Sequence, residues 1–122
     1  MQWLWVGVGA ALGAILRALL TRFNTWHAWL PYGTLFANLI GGLLMGAALV
    51  MAPKLSPSLR LFIMTGFLGG LTTFSTFSAE VLGLLMAGKL WQGFFLIVCH
   101  VCMTLLATAI GFYGLKLLLP NL

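Results

Sequence analysis

One carboxylate, Glu80, and one histidine inside an apolar run, His100, are the scarce titratable groups of a 122-residue chain that is 62% hydrophobic and 6% charged. No nucleophile stands beside a base, and no Cys/His set has metal-ligand spacing, so enzyme chemistry has no residues to work with. Cys99 and Cys102, three apart in an apolar segment, read as free thiols acting as small hydrophobes rather than as a disulfide or metal pair. What the sequence does offer is hydroxyls, amides and aromatic ring edges at membrane-like depth. Those groups can replace the water around an ion.

The densest such stretch is TGFLGGLTTFSTFSAE, residues 65–80. Gly69-Gly70 followed by Thr72-Thr73 predicts an interrupted helix, because glycine disfavours it and threonine hydroxyls compete for carbonyls. A break at membrane depth frees main-chain oxygens, which must be taken up by protein, water or an ion. Beyond it, Phe74 and Phe77 share a helix face among Ser75, Thr76 and Ser78. Two Phe on a membrane helix ordinarily just pack. Among hydroxyls, their positive ring edges could face an anion. Glu80 follows on the same face, as a vestibule group or a proton-coupled site.

Two further polar sets lie elsewhere. Asn38 shares a stripe with Thr34 and Gly42, and an amide in hydrocarbon must face protein or water. An interhelical hydrogen bond and a transport role both satisfy it. His100, Thr104 and Thr108 fall at i, i+4 and i+8, a polar track of ~12 Å at 1.5 Å per residue.

The elements that must position these groups follow from hydropathy. Four apolar stretches are long enough to span a bilayer: residues 2–20, 32–52, 58–86 and 91–118. The links between them are short, which forces an up-down-up-down order. Trp3, Trp5, Trp26, Trp29, Tyr32 and Trp91 sit near span ends, as an interfacial belt should. The first segment reads as a permanent helix rather than a signal peptide. Gly9 and Gly13, and likewise Gly42 and Gly46, are small-xxx-small pairs that let backbones approach. Arg17 extends the Gly9–Gly13 face by a turn, toward a watery vestibule or snorkelling at the helix end.

The net charge of +5 comes from isolated residues, so nucleic-acid binding has no footprint. Lys54, Arg60 and Lys116 fall on one side of the bilayer, and Arg17, Arg22 and Lys89 on the other. Lys/Arg bias sets orientation, and three against three sets none. Insertion both ways up, with a dimer of opposed copies, and a single weakly biased orientation are both compatible with that tie.

The segments AALGAILR, YGTLFANLIGG and above all GFLGGLTTFSTFSAE resemble the Fluc (CrcB) fluoride-channel family of microbial membranes. The resemblance runs over the whole chain. It implies an all-α membrane protein of four helices with a break in the third, a single domain over residues 1–122, assembled in the bacterial inner membrane as an antiparallel dual-topology homodimer. It implies two fluoride pores per dimer. Phe74 and Phe77 would present ring edges to fluoride. Asn38, Ser75 and Thr76 would line the pore, with His100, Thr104 and Thr108 as its fourth-helix track. The Gly69 and Thr72 carbonyls of both copies would hold a structural sodium ion, Arg17 would lie near a vestibule and Glu80 near a pore end. The rival reading is a small dual-topology, proton-coupled multidrug exporter. Its first-helix glutamate has no counterpart here.

Overall fold

The computed structural model describes residues 1–122, and the chain is helical throughout, without a strand. Four helical spans, Gln2–Trp26, Tyr32–Lys54, Pro57–Met86 and Leu90–Leu118, are each long and apolar enough to cross a bilayer. Leu4, Ile15, Leu105, Leu106 and Ile110 are exposed along them, as expected where lipid is the solvent.

Local sequence explains the boundaries. Helix α1 (Gln2–Leu20) carries Arg17 in its last turn, where a cation complements the free carbonyls. It tightens into a 3-10 stretch, Thr21–Trp26, whose Thr21 hydroxyl bonds back to the Ala18 carbonyl at 2.7 Å. Pro31 stands at the N-cap of α2 (Tyr32–Met51), and Pro53 lies in the 3-10 turn Ala52–Lys54 that ends the second span. Ser56 caps α3 (Pro57–Arg60) by accepting from the Leu59 N–H at 3.2 Å, with Pro57 in the first turn. Arg60 reaches back to donate to the Ala52 carbonyl at 2.9 Å, closing the short link.

The third span is assembled from pieces. After α3 comes a π-helical stretch, Leu61–Leu68, then α4 (Gly69–Leu71). Thr72 (φ −81°, ψ 154°) and Thr73 (φ −148°, ψ 119°) are extended. Helix α5 (Phe74–Met86) follows, and a turn through Gly88 at φ 78° leads to α6 (Leu90–Leu118).

Small residues set which spans touch. A Cβ on Gly9 or Gly13 would strike the Phe62 or Phe67 carbonyl of the π stretch, so the first span lies directly against the third. A Cβ on Gly46 would strike the Thr108 carbonyl, and one on Gly111 the Leu43 carbonyl, so α2 and α6 are in backbone contact. Both small-xxx-small expectations are met as packing faces. Ala37, Ala48, Leu68 and Leu71 form one buried cluster. Phe77, Val81, Leu84 and Leu96 form a second, against which Trp29 and Leu30 of the first link pack. Trp29 is half-buried, its ring meeting Phe95 at 5.8 Å, while Trp3, Trp26 and Trp91 are exposed.

Candidate functional site

The two extended residues between α4 and α5 are held by an amide from another span. Asn38, midway along α2, accepts from the Thr73 N–H through Oδ1 at 2.8 Å and donates from Nδ2 to the Thr73 carbonyl at 3.2 Å. The side-chain amide thus stands in for a neighbouring peptide group. That matters because Thr73 is buried, and an unpaired peptide there would cost the full desolvation of its polar atoms. The third span's own hydroxyls complete the arrangement. Thr72 Oγ1 donates to the Leu68 carbonyl at 2.9 Å. Thr73 Oγ1 accepts from the Thr76 N–H at 3.1 Å and so caps α5. Gly41 makes room, since a Cβ there would collide with the Thr72 methyl.

Diverting the Thr73 N–H to Asn38 has a second consequence. In an unbroken helix that amide would bond the Gly69 carbonyl. Gly69 is exposed, and its oxygen loses that donor.

Asn38 also meets the fourth span. Its Nδ2 lies 3.1 Å from His100 Nδ1. The imidazole is buried and lies against the Phe77 ring, centroids 4.5 Å apart at 33°. Phe77 in turn meets Phe74 edge-on at 5.5 Å. These groups line an open groove of about 330 Å³ that also takes in Thr72, Thr73 and Thr104. It bears no formally charged side chain. A second, more apolar groove of about 380 Å³ shares Phe74, Phe77 and Val101 with it and runs on past Ser78 and Leu82. Phe77 is 7% exposed, whereas Phe74 is 78% exposed on the open side.

The remaining candidates are distributed around this groove. Ser75 is exposed, 3.4 Å from the Thr73 hydroxyl, and Thr76 is half-buried beneath the cap. Thr108 lies outside the groove lining: its hydroxyl bonds back to the Thr104 carbonyl at 2.9 Å, and it packs on Gly42. Arg17 is half-buried in the last turn of α1. Glu80 Oε2 accepts from the Thr34 hydroxyl at 2.9 Å, while its Oε1 is buried without a partner. Thr34, on the Asn38 stripe one turn earlier, thus serves Glu80.

Two residues outside the sequence-derived candidates take part. Thr73 is the residue on which Asn38 and the α5 cap converge; a Thr directly before a helical run was the available signal. Asn24, in the first link, donates from Nδ2 to Thr34 Oγ1 at 3.1 Å and accepts from the Thr34 N–H at 2.9 Å. A lone loop asparagine carries no sequence cue for that. Cys99 and Cys102 are free thiols, Cys99 half-buried and Cys102 exposed.

A protein of Psychrobacter cryohalolentis named "Fluoride-specific ion channel FluC" is 60% identical over 123 residues, covering 98% of this chain and all of the relative. A Chromobacterium violaceum protein of the same name is 52% identical over 110 residues, 87% of each chain. One from Pseudomonas aeruginosa, again of that name, is 48% identical over 118 residues, 93% of each. Residues 4–112 match the family described as "CrcB-like protein, Camphor Resistance (CrcB)", and with these relatives along nearly its whole length the chain belongs to that family.

Proposed function

We propose that the chain is a fluoride-selective channel of the bacterial inner membrane, not an enzyme, and that it releases cytoplasmic fluoride by passive electrodiffusion. The relatives' shared name supports the choice of ion. The observation that carries the physical side is the groove in which Asn38, Thr72, Thr73, Phe74, Phe77 and His100 meet. Its polar atoms are amides, hydroxyls and an imidazole, with two aromatic rings edge-on to each other. Ring edges and N–H or O–H donors suit an anion, and the groove has no carboxylate to favour a cation. The α5 N-terminus adds peptide N–H groups that lack intrahelical partners. A small, strongly hydrated anion can exchange its water for such donors without being held so tightly that it stays.

The functional unit is a dimer of opposed copies with two pores. The tied Lys/Arg count and the large exposure of Phe74 on one open wall support a second copy closing the groove. Ser75, Thr76 and Thr104 carry the route beyond the rings, with Arg17 at a vestibule and Glu80 at a pore end.

A sodium ion at the dimer interface is part of the proposal. The donor chemistry fits: Gly69 is an exposed residue whose carbonyl is relieved of its helical donor, and Thr72 is extended. Main-chain oxygens are hard ligands of the kind a small cation takes. The Gly69 and Thr72 carbonyls of both copies would hold it, and it would supply cross-linking of the two broken spans.

Efflux from proteoliposomes containing the purified protein tests the function. Fluoride release on addition of a potassium ionophore, with chloride retained, is expected. Equal release of both ions, or of neither, would reject fluoride selectivity.

A further inference from the structure

The hydrogen-bond polarity around Asn38 determines more than the shape of the break. A peptide N–H can only donate and a peptide C=O can only accept. With the Thr73 N–H at 2.8 Å and the Thr73 carbonyl at 3.2 Å, the amide of Asn38 has one acceptable orientation. Turning it over would set NH2 against N–H and oxygen against oxygen. The main chain therefore dictates which end of Asn38 is the donor. That donor, Nδ2, has two hydrogens. One serves the Thr73 carbonyl, and the other faces His100 Nδ1 at 3.1 Å.

Nδ1 must then accept. A neutral imidazole whose Nδ1 accepts carries its proton on Nε2. Turning the ring over would put a carbon opposite Asn38 and take Nδ1 away from that partner. Phe77, 4.5 Å away ring to ring, restricts that motion. His100 Nε2 is itself buried and has no partner in the chain. A buried donor in that state calls for an acceptor, since such groups are almost always paired.

We propose that Asn38 is a positioning residue that holds His100 in its neutral Nε2–H tautomer, so that Nε2 presents a donor to a small anion in the groove. The identity of that anion as fluoride rests on the channel reading; the tautomer does not. Asn38 thereby links the unwound Thr72-Thr73 segment to the protonation pattern of the fourth span.

Nitrogen-15 NMR of histidine-labelled protein in bilayers reads the tautomer directly. His27→Gln removes the only other imidazole, which lies in the first link and does not line the groove. The expected spectrum has a protonated Nε2 and an unprotonated Nδ1. Added fluoride should shift the Nε2 resonance more than Nδ1, and chloride at equal concentration should shift neither. In Asn38→Asp the carboxylate can only accept, so the proton should move to Nδ1. A parent spectrum with the proton on Nδ1, or a fluoride shift centred on Nδ1, would overturn the proposal. So would an Asn38→Asp protein that keeps the Nε2–H form. If Asn38→Asp does not fold, the parent tautomer and its fluoride shift decide alone. Nε2–H without fluoride efflux would reject the channel and keep the tautomer. Efflux with Nδ1–H would do the reverse.

Discussion

Replacing Asn38 by alanine probes the clamp on the third span. The change removes three hydrogen bonds: two to the Thr73 main chain and one to His100. Thr73 is 6% exposed and His100 4%, so water cannot replace them readily. Interhelical bonds within bilayers average about 0.6 kcal/mol each, which puts the minimum near 2 kcal/mol, a roughly thirtyfold change in the folding equilibrium. If both Thr73 peptide groups stay unpaired, each at the ~1–3 kcal/mol cost of a buried orphan, the loss rises, so it should fall between about 2 and 6 kcal/mol. Reversible unfolding in mixed micelles measures it. Ser75→Ala, at an exposed position with one long contact, is the control and should change stability by less than about 0.5 kcal/mol. An Asn38→Ala protein as stable as the parent would refute the argument. The extended residues would then hold themselves without the second span.

Other outcomes follow from the packing. Gly46→Ala should drive α2 from α6, because its methyl would meet the Thr108 and Phe112 main chain; a loss of at least about 1–3 kcal/mol is expected in the same unfolding measurement. Thr34→Val removes the donor to Glu80 and the acceptor for Asn24, and should cost about 1–3 kcal/mol, with Thr34→Ser restoring most of it. Withdrawing sodium should weaken the dimer and reduce fluoride flux; full activity in rigorously sodium-free buffer would reject a required ion.

The fold was largely legible because its determinants are local in sequence. Hydropathy places the spans to within two residues of those observed, except that the first runs on through the 3-10 stretch to Trp26. The glycine pairs identified the close-packed faces, since only backbone contact explains them. The GGLTT run pointed to Thr72-Thr73, where two extended residues now lie. The partners were harder. Asn38 reads equally well as glue or as a pore group until Thr73 and His100 are seen on either side of it. Residues 38, 73 and 100 meet only through tertiary packing, which no single-helix periodicity encodes. The His100–Thr104–Thr108 spacing suggested one face, yet the deep packing of α6 on Gly42 and Gly46 turns Thr108 toward helix contact. Trp29 packs on Phe95 and the second apolar cluster, contacts that its position at a span end does not reveal. The π-helical stretch had no sequence signature at all.

Fluoride flux through Phe77→Ile and Phe74→Ile proteins, reconstituted beside the parent, addresses the anion route most directly. Isoleucine keeps apolar bulk and removes the positive ring edge. Both variants should fold and assemble like the parent while fluoride efflux falls at least tenfold. Parent-like efflux through both would show that the anion does not pass along these rings.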